Sequence, residues 1–233
     1  MKCEAVLDDE IGRRLTAIYQ MLDAYFGDLH WWPGDSPFEV IVGAILTQNT
    51  AWRNVVAAVE RLKSEGLLRP EAIFAMEEEK LALIIRSAGY YNVKARRLKA
   101  FVRFLFDHHR GNLEEMFVGN LWSLRKSLLR INGIGEETAD NILLYAGKKP
   151  VFVVDVYTRR ILSRHGVCPE GLAYGEIQNL FLIHLPAEAA LYNQYHALLV
   201  NAGKSFCGKR PKCDPCPLRP LYETAPAAFP EQD

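Results

Sequence analysis

Asp155 is the residue of this chain whose placement most invites chemistry. It follows the apolar run 151–154 and precedes Tyr157, Thr158, Arg159 and Arg160. A carboxylate there can cap the helix that follows by accepting from a backbone N–H. It can also serve as a base or an electrostatic partner for a reacting centre. Upstream, Gly133-Ile134-Gly135 interrupts a helical pattern. Leu124, Leu128 and Ile131 precede it at helical spacing, and Ala139, Ile142, Leu143 and Ala146 follow it. Glycines in such a turn permit positive φ and close approach of another molecule. The helix N-terminus after them favours an anion. The pair of helices therefore suits a phosphate at its tip.

Three further sets could bind something. Cys207, Cys213 and Cys216 are close in sequence, five and then two residues apart. Trp31, Trp32 and Trp52 offer aromatic faces for stacking and cation–π attraction, with Pro33 beside the first two. Lys94, Arg96, Arg97, Lys99 and Arg103 form one basic run, and Lys204, Lys209, Arg210 and Lys212 another. Such runs are either solvated helix faces or surfaces that track phosphates.

The elements that must position these groups read as helices throughout. An amphipathic helix over 11–26 carries Leu15, Ile18, Tyr19, Leu22 and Tyr25 on one stripe. Ser36-Pro37 marks the start of another, a cap followed by proline. Residues 47–50 break the apolar pattern, and a helix follows from Trp52. Short helices near 72–76 and 78–87 lead to a long one over 94–109. The hairpin, the Asp155 helix and helices over 174–184 and 188–202 complete the chain. No alternating strand pattern occurs, and 151–154 reads as a buried connection.

The 233 residues can bury a substantial core. The formal charge is zero, which argues against a non-specific nucleic-acid coat. Five cysteines, an odd number, do not suit a secreted disulfide framework. No apolar run reaches membrane-spanning length, and the acidic N-terminus is unlike a signal peptide. These features predict an intracellular, cytoplasmic protein.

The segment 129–140, followed by the Val-Asp at 154–155, resembles the helix-hairpin-helix motif and aspartate segment of the DNA glycosylase superfamily that includes endonuclease III. The resemblance extends from about Trp31 to Tyr222. It implies an all-α protein of two helical domains with a DNA-binding cleft between them. One domain spans 29–149 and the other combines 1–28 with 150–205. A cysteine loop spans 206–222, and 223–233 form a disordered tail. The resemblance further implies that Gln48 and Tyr90 fill the gap behind an extruded base. Gly133, Gly135, Lys209, Arg210 and Lys212 would contact DNA.

The family's bifunctional members carry a lysine within Gly-Val-Gly-Arg-Lys-Thr-Ala. Here Gly133-Ile134-Gly135-Glu136-Glu137-Thr138-Ala139 places Glu137 at that position. A carboxylate cannot form a Schiff base, so the pattern implies hydrolysis without lyase chemistry. Asp155 would be the catalytic group and Glu137 a second acidic group. Trp31, Trp32, Pro33 and Trp52, with Tyr-Tyr-Asn-Val-Lys-Ala at 90–95, resemble the base pocket of the branch that removes 3-methyladenine. Oxidised pyrimidines are the alternative substrates, and a non-catalytic damage-binding module is the alternative class. The family's [4Fe–4S] loop has four cysteines; here Tyr222 stands at the fourth position. Zinc, completed by His184 or His196, or no metal at all, are the alternatives. The expected partner is double-stranded DNA with a damaged base, bound by a monomer.

Overall fold

The computed structural model describes the backbone of residues 2–31 and 34–223, and the side chains of 10–31 and 34–221. Among the described residues every regular element is helical. The chain divides into two units, Met1–Trp31 with Pro150–Asp233, and Trp32–Lys149.

In the first unit, helix Lys2–Phe26 presents Leu15, Ile18 and Leu22 inward, all fully buried. It packs on helices Tyr174–His184 and Ala189–Ser205. The first helix begins nine residues before the predicted start, because Glu4, Ala5 and Leu7 are competent helix formers that the acidic run 8–10 obscures. The apolar run 151–154 is extended and buried. Side chains satisfy its backbone: Gln178 Nε2 donates to Phe152 O (2.6 Å), and Val154 N–H donates to the Tyr174 hydroxyl (3.2 Å). The Phe152 and Phe181 rings stack at 3.5 Å, with Tyr192 and Tyr195 edge-on to Phe152. This aromatic cluster fixes where the chain enters helix Val156–Arg164. That helix lies tightly on Ala189–Ser205, since a Cβ at Gly203 would sit 2.3 Å from the Tyr157 ring.

In the second unit, helix Pro37–Leu46 forms the centre. Ser36 caps it by accepting from Glu39 N–H, and Ile41, Val42, Ile45 and Leu46 are fully buried. Helix Tyr91–His109 and the run after the hairpin pack against it. That run begins as helix Glu136–Asn141 and continues as a π-helical turn over Ile142–Ala146.

Candidate active site

Asp155 ends the extended segment and caps helix Val156–Arg164, its Oδ1 accepting from Thr158 N–H at 2.7 Å. Only 9% of its surface is exposed. The second carboxylate oxygen lies 3.7 Å from His196 Nε2, and His196 is itself buried edge-on to Phe152. Burial alone would raise the carboxyl's pKa. The His196 imidazole and the Thr158 N–H outweigh burial and hold it below its ordinary value. Asp155 is therefore an anion at neutral pH, able to stabilise positive charge or accept a proton, and unable to supply one.

The hairpin turn is built around Gly133. Its φ is 86°, and a Cβ there would lie 2.4 Å from Arg97 Cγ, so glycine is needed for both conformation and space. Arg97 passes over this glycine and donates to Gln48 Oε1. Gln48 Nε2 donates to Gly133 O (3.1 Å) and Thr138 Oγ1 (2.8 Å). Gly135 differs: it is exposed, and a Cβ there would meet nothing within 4 Å. The turn thus opens at Gly135 to anything approaching from outside. Arg125 fastens the helix before the turn to the one after it. Its Nε and Nη2 grip the two oxygens of fully buried Asp140 at 2.7 and 3.0 Å. Glu136 lies 3.6 Å from the same guanidinium, and Glu137 is exposed.

The segment 86–91 forms a second projecting loop. Gly89 and Tyr90 both take positive φ, 66° and 45°, and Tyr90 is 75% exposed. A tyrosine in the left-handed region is unusual for so bulky a residue. Lys94 anchors the loop from beneath: it is buried, and its Nζ donates to Ala88 O at 2.6 Å. Burial, with Arg97 nearby, brings the Lys94 ammonium down to about 8. Lys99 is likewise occupied, donating to the carbonyls of Ile73, Phe74 and Met76. Three members of the first basic run, Lys94, Arg97 and Lys99, hold the fold together. Arg96 and Arg103 face solvent.

Of the tryptophans, Trp31 belongs to the first unit, and Lys204 Nζ lies 5.5 Å from its ring centroid. The buried Trp31 indole N–H has no acceptor among the described residues. Trp52 opens helix Trp52–Ser64 in the second unit, 38% exposed. Trp32 and Pro33 lie outside the described residues, as do the Tyr222 side chain and residues 224–233, most of the expected tail.

The cysteine loop folds back on helix Val156–Arg164. Arg160 donates to Cys207 O, and Arg164 donates to Cys207 Sγ (3.2 Å), Gly208 O and Lys209 O. Burial raises the Cys216 thiol, the Leu218 N–H lowers it, and Cys207 and Cys213 raise it further. No three His, Cys, Asp or Glu side chains among the described residues are arranged to hold one metal ion. His196 faces Asp155. Lys209, Arg210 and Lys212 are exposed. Burial lifts the Cys168 thiol to about 11, leaving it an inert small core residue.

Three contributors escaped the sequence. The sequence suggests His196 only as a zinc ligand, and its place beside Asp155 could have been sought from the buried stripe it shares with Tyr192, Tyr195 and Leu199. The Arg97–Gln48 contact and the Arg125–Asp140 pair join residues at separations that no periodicity predicts.

The family described as HhH-GPD superfamily base excision DNA repair protein matches residues 42–184. A putative DNA repair glycosylase of Methanocaldococcus jannaschii is 48% identical over 204 residues, which cover 87% of this chain and 92% of that protein. Endonuclease III of Sulfolobus acidocaldarius is 30% identical over 183 residues, 78% and 79% of the two chains. Among solved structures, the H. pylori 3-methyladenine DNA glycosylase bound to 1,N6-ethenoadenine superposes with a TM-score of 0.72. It is 30% identical and shares 83% of this chain and 97% of its own. No described helix is long and apolar enough to cross a membrane.

Proposed function

Since the chain belongs to the HhH-GPD superfamily of base excision DNA repair proteins and is one of its DNA glycosylases, we propose that it is monofunctional. In this reading it removes N-alkylated purines of the 3-methyladenine type from double-stranded DNA, acting as an intracellular monomer. The observation that carries the reading is the buried Asp155 carboxylate at the head of helix Val156–Arg164, with the Thr158 N–H at 2.7 Å from one oxygen and His196 Nε2 at 3.7 Å from the other. An anion of this kind supports an oxocarbenium-like sugar and orients or deprotonates water. It offers no proton to a departing base. An N-alkylated purine needs none, because it is already cationic and a good leaving group.

Other features support the same chemistry. Glu137 stands where an amine would be required for Schiff-base formation. Trp31 holds the Lys204 ammonium 5.5 Å from its ring centroid, and a cationic base that displaced this ammonium would find the same attraction. Similarity to the H. pylori 3-methyladenine glycosylase spans nearly all of that protein. Gly135, Lys209, Arg210 and Lys212 offer an open turn and exposed cations for DNA phosphates. Tyr90, exposed on its braced loop, is suited to wedge into the stack.

Cys207, Cys213 and Cys216 would hold a [4Fe–4S] cluster. Three thiols on one short loop and the Arg164 hydrogen bond to the Cys207 sulfur suit that donor chemistry. When bound, the cluster would shape the loop that carries Lys209, Arg210 and Lys212.

A panel of duplexes, each with one defined lesion, tests the substrate class. Preferential release of 3-methyladenine supports the reading. Preferential release of oxidised pyrimidines favours an endonuclease III-like specificity instead.

A further inference from the structure

Filling the space behind an extruded nucleotide demands a side chain that is exposed, uncommitted and next to the wedge. Gln48 is only half-exposed, and it is committed. Both hydrogens of its amide nitrogen go to Gly133 O and Thr138 Oγ1, and its oxygen accepts from Arg97. Withdrawing it would break three hydrogen bonds and leave the hairpin turn unsupported.

Its neighbour is placed differently. Asn49 is exposed, its φ is 53°, and its amide has no hydrogen-bond partner among the described residues. Asparagine tolerates this left-handed backbone better than most residues. Within the same unit the 47–50 turn is tied to the Tyr90 loop. Asn54 Nδ2 donates to Thr50 Oγ1 at 3.4 Å, and Ser87 Oγ donates to Asn54 O at 3.2 Å. A Cβ added at Gly89 would lie 4.0 Å from Thr50 Oγ1. Two outward residues in left-handed conformations, one polar and one aromatic, therefore sit on adjoining loops that brace each other. Backbone outliers held this firmly concentrate at functional sites.

The geometry points to Asn49, not Gln48, as the side chain that meets the orphaned partner base, with Tyr90 as the stacking wedge and Gln48 as a fixed strut of the hairpin. An asparagine amide presents a donor and an acceptor side by side, matching the edge of an unpaired base. This inference rests on the base-flipping reading above.

The test uses the full chain and a duplex carrying 2-aminopurine opposite an abasic-site analogue, so that binding alone reports on the orphaned base. Saturating wild-type protein is expected to change the fluorescence severalfold. Asn49→Gly keeps the left-handed turn and deletes the amide; it should lose most of that change, with a melting temperature within about 2 °C of wild type. Gln48→Ala should keep the change and melt several degrees lower. A full signal from Asn49→Gly, or none from the wild type, overturns the inference. So does loss of the signal in Gln48→Ala at an unaltered melting temperature. Excision assays run in parallel keep the two readings apart. A wild type that excises no lesion but gives the Asn49-dependent signal refutes the glycosylase specificity and leaves the wedge assignment standing.

Discussion

His196 Nε2 lies 3.7 Å from Asp155 Oδ2, with both side chains buried in the same unit. The imidazole favours the charged carboxylate against the cost of burial. Replacing His196 with Gln should move the acid limb of the pH–rate profile to higher pH. A structural role alone would lower stability and leave that limb in place. The sign for stability follows the same logic. A carboxyl depressed in the folded state stabilises it above the unfolded value, and that stability is lost as pH falls through the folded value.

Asp155 caps a helix and carries the proposed charge, and one substitution separates these jobs. Asn is as good a cap as Asp, so Asp155→Asn should change unfolding free energy by no more than about 1 kcal/mol. Excision should fall by roughly 10²–10⁴-fold. Chemical denaturation and single-turnover excision measure the two effects on one sample.

Gly133→Ala should destabilise the second unit. The new methyl would collide with the Arg97 stem in a backbone at φ 86°, and a loss of about 2–4 kcal/mol is expected. Gly135→Ala meets no atom within 4 Å. It should leave stability nearly unaltered and weaken DNA binding, as seen in a filter-binding or anisotropy titration.

His165 supplies an acid-sensitive element in the first unit. Burial, with Arg164 and Arg14 nearby, holds its imidazole down to about 4. Between the ordinary histidine value and 4 the unfolded chain binds the extra proton, so stability rises with pH across that window and falls on acidification. His165→Gln should flatten the dependence of melting temperature on pH between about 6.5 and 4.

Much of the architecture was readable because local chemistry agrees with it. Ser36-Pro37 announces helix Pro37–Leu46, and apolar periodicity places Tyr174–His184. Asp155 was legible as a cap from its position after an apolar run. The basic run on helix Tyr91–His109 does not act as one surface, because long aliphatic stems let Lys94 and Lys99 fold inward and end on carbonyls while Arg96 and Arg103 stay exposed. Gln48 was matched by position, but its engagement with Gly133, eighty-five residues away, is tertiary. His196 and the Arg125–Asp140 pair were hidden for the same reason: their partners are chosen by the fold and not by spacing.

The central claim is hydrolysis supported by Asp155 with no amine taking part. It is tested most directly by single-turnover reaction on a duplex with one 3-methyladenine, with products resolved before and after alkali and in the presence of borohydride. Wild-type protein should give strand breaks only after alkali and no trapped covalent adduct, and Asp155→Asn should give almost none under either condition. Breaks without alkali accompanied by a borohydride-trapped complex, or full activity in Asp155→Asn, would contradict it.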